Sequence, residues 1–135
     1  MITDIDNFKT CNDNFGHETG DLVLKAVASL LERRIRRGAD LVARIGGEEF
    51  AIILPETGLD GALALAESIR ADVRKLAGKY HQEIPEVTMS FGVASLVPAN
   101  ALDWKLLFRH ADAAVYRAKR KGKDRVEGMS LDRPG

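Results

Sequence analysis

The chain has 135 residues, the length of one ordinary domain. Hydrophobic residues make up 45% and charged residues 30%, a balance that excludes a disordered polymer and predicts a soluble globule. Lys and Arg total 20 and Asp and Glu total 20, so there is no overall basic footprint for nucleic acid or a membrane, although local clusters can still bind phosphates.

Cys11 is the single cysteine, which rules out an internal disulfide and suits a reducing, cytoplasmic setting. It reads as a small residue packed in a helix. No apolar run approaches the roughly 20 residues that span a membrane. Asp4 and Asp6 come too early for a secretory leader. Because Met1 leads at once into a strand and a motif, the chain is expected to be a fragment, truncated at its N-terminus, that reaches a membrane only through upstream domains.

In chain order, Ile2 to Asp6 is a candidate strand end. Phe8 to Phe15 is a short helix stopped by Gly16. Asp21 to Arg37 is expected as the first long helix, with Leu24, Val27, Ala28, Leu31 and Ile35 on its buried stripe. Arg33, Arg34, Arg36 and Arg37 would lie in its last turn, where cations suit the dipole, and Gly38 would end it. Leu41 to Ile45 and Phe50 to Leu54 read as strands joined through Gly46-Gly47, a pair expected to supply the positive φ of a tight hairpin.

Leu59 to Ala77 is expected as one helix with Ala62, Leu65, Ala66, Ile69, Val73 and Leu76 inward. Val87 to Leu96 reads as a strand with a central Gly92. Asp103 is the expected N-cap of a helix to about Lys121, with Leu107, Ala111, Ala114, Val115 and Ala118 inward. Arg125 to Glu127 reads as an edge strand. Residues 1–128 form the expected domain and 129–135 a flexible tail. Interleaved strands and helices predict an α+β layer, one sheet covered by helices. Trp104, Phe108 and Phe91 read as core or helix-face packing, and His81 and His110 as surface residues without metal spacing.

Two clusters carry chemistry. Asp4 and Asp6 alternate on a strand and so share a face; carboxylates at a strand end suit a hard cation such as Mg²⁺, although Asp and Asn also simply mark turns and caps. Gly46-Gly47-Glu48-Glu49-Phe50 sets two acids beside a turn. Glycines there allow a phosphate or ribose to approach closely, and adjacent like charges repel unless a cation offsets them. A solvated hairpin is the plain alternative.

Asp4-Ile5-Asp6-x-Phe8-Lys9, Asn12-Asp13, Phe15-Gly16-His17, Gly20-Asp21 and Arg44-x-Gly46-Gly47-Glu48-Glu49-Phe50 resemble, in order, blocks of the GGDEF family of diguanylate cyclase domains. Ser90-x-Gly92-Val93 and Ala111-Asp112-x-Ala114-x-Tyr116-x-Ala118-Lys119 match further blocks, so the resemblance covers nearly the whole chain. It implies a nucleotidyl-cyclase or polymerase-palm fold with a central, mainly antiparallel sheet. It also implies a bacterial second-messenger activity, condensation of two GTP into cyclic di-GMP and two pyrophosphates.

By the same resemblance, Asp4, the carbonyl of Ile5 and Glu48 are the implied ligands of Mg²⁺ (or Mn²⁺). Glu48 and Glu49 are the implied catalytic acids, with Glu48 in the family role of proton acceptor. Asn12 and Asp21 are placed against guanine and His17 at a substrate contact. Gly46 and Gly47 lie against the nucleotide, and Lys9, Lys119 and Lys123 neutralise phosphates. One domain holds one GTP, so catalysis implies a homodimer.

Arg37-Gly38-Ala39-Asp40 fits the family's Arg-x-x-Asp motif for product inhibition by cyclic di-GMP. Lys123-Asp124 departs from the family's common Arg-Asn, and Ser68 stands where some members carry a second inhibitory arginine. The family's upstream helix is absent from the sequence. A non-catalytic receptor for GTP or cyclic di-GMP is the competing reading; a generic ferredoxin-like interaction module is the more distant one.

Overall fold

The computed structural model describes residues 1–79 and 83–131; His81 and the end of the expected tail lie outside these residues. Ten elements follow in chain order: β1 (Ile2–Ile5), α1 (Phe8–Phe15), α2 (His17–Arg34), β2 (Leu41–Arg44), β3 (Glu49–Ile53), α3 (Leu59–Val73), α4 (Leu76–Lys79), β4 (Met89–Ser95), α5 (Asp103–Arg120) and β5 (Arg125–Ser130). The five strands form one sheet in the order β2-β3-β1-β4-β5. All pairs are antiparallel except β4 with β5, which run parallel and are connected through α5. The architecture is α+β, as expected.

Side-chain alternation divides the sheet into two faces. Ile5, Phe50, Ile52, Met89, Phe91 and Val93 join Val23, Val27 and Leu31 of α2 and Ala66, Ile69 and Val73 of α3 in the main core. Each fully buried Leu, Ile or Phe here stabilises the fold by about 2 kcal/mol. The opposite face carries Ile2, Ala51 and Ala94 beneath Ala111 and Val115 of α5. Gly92 lies between them: a Cβ there would meet Ala111 O at 2.1 Å and Val115 N at 2.3 Å. The helix therefore rests on bare strand backbone.

Several boundaries differ from the sequence reading. Gly16 (φ 90°, ψ 161°) both closes α1 and caps α2, so α2 begins at His17 and not Asp21. At its other end Ile35 leaves helical geometry (φ −109°, ψ 81°) while its side chain stays buried. Arg33 and Arg34 therefore occupy the last turn, and Arg36 and Arg37 fall beyond it. The buried stripe of α2 is rotated from the expected one: Val23, Ala26 and Leu30 join Val27 and Leu31, while Leu24 and Ala28 are half-buried.

The expected helix over Leu59 to Ala77 breaks after Val73, where Lys75 N donates to Asp72 O at 3.0 Å. Val73 and Leu76, three residues apart, both remain in the core across this turn. Asp103 is the first residue of α5 and not its cap; its Oδ2 reaches back to accept from Ala99 N at 2.6 Å and Asn100 N at 3.2 Å. β5 runs past the expected Glu127, so Met129 and Ser130 belong to a strand and not to a tail. Phe91 is core, but Trp104 and Phe108 are exposed on α5. His110 is half-buried, with Nδ1 3.2 Å from Met129 Sδ.

Candidate active site

The pairing of β1 with β3 assembles the acids. Asp4 lies opposite Glu49 in the ladder, and Ile5 N donates to Glu48 O at 3.2 Å. Asp4, Ile5, Glu48 and Glu49 therefore share one end of the sheet, with Asp4 and Glu49 on the α5 side. Burial pushes the Glu49 carboxyl above its ordinary range, and repulsion from Asp4, Asp112 and Glu48 pushes it further.

The loop over residues 45–48 is wider than a two-residue hairpin, and neither Gly46 nor Gly47 adopts a left-handed φ. The expectation of positive φ fails because the loop is held from outside. Arg44 Nε donates to the carbonyls of Gly46 and Gly47 at 3.1 Å, and its Nη2 donates to Gly47 O at 2.8 Å. What the glycines provide is room. A Cβ on Gly47 would touch nothing within 4 Å, whereas one on Gly46 would come to 3.2 Å from Glu49 Oε2.

Lys119, on the last turn of α5, reaches into this cluster. Its Nζ lies 2.7 Å from Asp4 Oδ1, 2.9 Å from Asp6 Oδ1 and 3.5 Å from Ile5 O. Burial alone would lower its pKa; the bonds to Asp4 and Asp6 outweigh that and raise it, so the ammonium stays charged. Asp6 is 4% exposed and holds four partners: Ser90 Oγ and Thr88 Oγ1 each donate at 2.7 Å, Asp124 N at 2.9 Å, and Lys119 completes the set. Burial opposes its charge, but the donors from Ser90, Thr88, Lys119 and the Asp124 amide hold its carboxyl below the ordinary range. Asp4 and Asp6 both bond Lys119, but only Asp4 keeps appreciable exposure.

The turn after α5 is left-handed at three successive residues, Gly122 (φ 123°), Lys123 (φ 65°) and Asp124 (φ 45°). For non-glycine residues this conformation costs about 1–2 kcal/mol each. Lys123 N donates to Ala118 O at 3.0 Å and Gly122 N to Lys119 O at 3.4 Å, the bonds of a Schellman cap. Lys123 Nζ donates to Asn7 Oδ1 at 2.5 Å, beside Asp6. Both lysines thus gather at the β1–α1 turn, while Lys9 is exposed on the first turn of α1.

A second region forms where α1 meets α2. Asn12 lies against Gly20, whose Cβ, if present, would sit 1.8 Å from Asn12 Oδ1. That oxygen is buried and has no hydrogen-bond partner among the described residues, an acceptor that costs about 1–3 kcal/mol unless something donates to it. His17 and Asp21, four apart on one face of α2, are both exposed. A third region is a turn after α2, closed by Asp40 N donating to Arg37 O at 2.7 Å, with Arg37 exposed. Ser68 accepts from Arg34 Nη2 at 2.5 Å, and Arg34 also pairs with Asp72.

A cleft of about 390 Å³ opens beside the acids, lined by Asp4, Glu49, Arg109, Asp112, Tyr116 and Lys119 among others. Among the described residues, no three His, Cys, Asp or Glu side chains converge as a ready cation cage. The donors at hand are carboxylates and the Ile5 carbonyl. This hard, incomplete oxygen set suits a divalent cation that keeps part of its water shell. The oxygen donors fit such an ion in type, and Lys119 Nζ is the cation that now meets Asp4 Oδ1 and the Ile5 carbonyl.

Sequence reasoning missed four residues: Asp6 as a buried hub, Asp112 facing Glu49, and the pair Arg70 and Asp124 described below. Asp6, Asp112 and Asp124 all stand within motifs of the sequence, but their roles depend on contacts between distant elements, and Arg70 carries no local signal.

A mainly antiparallel sheet with acids on adjoining strand ends and lysines converging on them is a palm-type arrangement with one charged site at a sheet end. The family model described as "Diguanylate cyclase, GGDEF domain" matches residues 1–125, and the chain belongs to that family. Over 93% of its length it is 47% identical to diguanylate cyclase DgcM of Escherichia coli K12, of which it spans 29%. It superposes on the active GGEEF domain of a diguanylate cyclase from Vibrio cholerae with a TM-score of 0.82 and 35% identity, covering 99% of this chain and 81% of that one. It also superposes on the GGDEF domain of DgcB from Caulobacter crescentus, solved with c-di-GMP, with a TM-score of 0.83 and 37% identity, covering 94% and 74%. Among the described residues, no helix is long and apolar enough to cross a membrane.

Proposed function

We propose that the chain, through the end of β5 at Ser130, forms a diguanylate cyclase domain that condenses two GTP into cyclic di-GMP and two pyrophosphates. The observation that carries this reading is the meeting of Asp4, Ile5, Glu48 and Glu49 at one sheet end with Lys119 over them. Each half-reaction forms a bond from a 3′-oxygen to an α-phosphorus, breaks the bond to pyrophosphate and releases the hydroxyl proton. Asp4, the Ile5 carbonyl and Glu48 are the residues to hold Mg²⁺ (or Mn²⁺), and the ion supplies charge neutralisation at phosphate and acidifies the hydroxyl.

The chain's own groups position and neutralise. Lys119, Lys123 and Lys9 offset phosphate charge as point cations. The open backbone at Gly46 and Gly47 admits the ribose and phosphates. The Asp21 carboxylate accepts from the N1–H and 2-amino donors of guanine, which adenine lacks, with Asn12 against the same base; a site built to pair such donors rejects the analogue by about 10⁴-fold. His17, on the face of Asp21, completes the substrate contacts. Glu48 and Glu49 sit where the 3′-hydroxyl proton departs.

A GTP on one domain must face a GTP on another, so a homodimer is the working unit. Arg37 and Asp40 form the feedback site, with Arg37 binding phosphate or stacking on guanine. Incubation of the full chain with GTP and Mg²⁺, followed by mass analysis, is expected to yield cyclic di-GMP. GTP binding without product would assign the chain instead to non-catalytic receptors. Adding cyclic di-GMP to the same assay is expected to slow wild type and to spare Arg37→Ala.

A further inference from the structure

The strained turn after α5 is held from the other side of the sheet. Asp124 donates its amide to Asp6, while its carboxylate accepts from Arg70 Nη1 at 2.7 Å and pairs with Arg74 Nη1 at 3.3 Å. Arg70, on α3, is fixed in turn by Glu67, which accepts from Nε at 2.9 Å and from Nη2 at 2.5 Å. Only 17% of the Arg70 side chain is exposed. A planar fork that bonds two carboxylates at once fixes direction as well as charge, which a lysine cannot do.

The consequence runs along the backbone. Asp124 cannot shift without changing the left-handed geometry of Lys123, and that geometry aims Lys123 Nζ at Asn7 beside the acid cluster. We propose that Arg70 is a positioning residue for substrate triphosphate: through Asp124 it fixes the turn 122–124 and so holds the Lys123 ammonium at the β1–α1 turn. This rests on the phosphate role of Lys123 proposed above.

The test is a double-mutant cycle on the full chain with Mg²⁺, titrating 3′-deoxy-GTP, which lacks the attacking hydroxyl, and GMP, which lacks the outer phosphates. Lys123→Gln and Arg70→Met are each expected to weaken 3′-deoxy-GTP about tenfold, the size of one charge-assisted hydrogen bond. GMP affinity is expected to stay within about twofold. The double variant is expected to bind no worse than Lys123→Gln alone. Asp124→Asn tolerates the left-handed turn and keeps an acceptor for Arg70, so it is expected to bind as wild type does.

Unchanged 3′-deoxy-GTP binding by Arg70→Met overturns the proposal, as does equal weakening of both nucleotides. Losses that multiply in the double variant also overturn it, since Arg70 would then act independently of Lys123. Failure of wild type to bind 3′-deoxy-GTP would instead sink the nucleotide reading, and this proposal with it.

Discussion

Toward α2 and α3 the sheet presents Ile5, Phe50, Ile52, Met89, Phe91 and Val93; toward α5 it presents Ile2, Ala51, Gly92 and Ala94. Large side chains hold α2 and α3 at a normal packing distance and bury much apolar surface. Small ones let α5 settle onto the strands, which brings its last turn close enough for Lys119 to reach Asp4 and Asp6. Hydrophobic stability is thus concentrated on one face and charged chemistry at one end of the other. A protein divided in this way should tolerate damage to either side without losing both properties.

Three substitutions test that division. The largest effect is expected from Glu48→Ala, which removes a carboxylate from the acid cluster. Cyclic di-GMP synthesis, read by mass, should fall about a thousandfold, equivalent to about 4 kcal/mol, while the thermal midpoint moves by less than about 2 °C. Leu31→Ala, in the opposite core, should lower unfolding free energy by about 3 kcal/mol in denaturant titrations and leave nucleotide affinity of the folded protein unchanged. A loss of affinity matching the loss of stability would show that the two faces are not separable.

The smallest effect is expected from Glu49→Gln, measured in EDTA. Burial, together with Asp4, Asp112 and Glu48, raises the Glu49 pKa in the folded state. The folded state therefore favours the protonated form, and the stability it contributes is lost as pH rises through the raised pKa. Glutamine mimics the protonated acid, so the variant should melt slightly above wild type at pH 7. The gap should close as pH falls toward the ordinary glutamate range near about 4.3. A gap that widened on acidification would mean that Glu49 is not crowded by its neighbours.

Much of this arrangement was legible in the sequence because it is local or periodic. The strands and helices follow from apolar spacing, and the acids of β1 and the hairpin stand out as charge beside glycine. What escaped depends on groups far apart in the chain. Asp6 reads as a second cation ligand until the fold surrounds it with Ser90, Thr88, Asp124 and Lys119. The break after Val73 leaves Val73 and Leu76 buried just as an unbroken helix would, so no apolar spacing announces it. The glycines of the hairpin suggested a backbone twist, whereas Arg44 supplies the restraint.

For the guanine site proposed above, the single residue between α1 and α2 is a point of leverage. Asn12 lies before Gly16, and His17 and Asp21 lie after it, so the spread between these groups is governed by two dihedral angles of one glycine. A fit to a flat aromatic ring needs tolerances of a few tenths of an ångström. Gly16 shares that control with the packing of Asn12 on Gly20, and a side chain at position 16 would meet no neighbour but would strain the φ of 90° that joins the two helices.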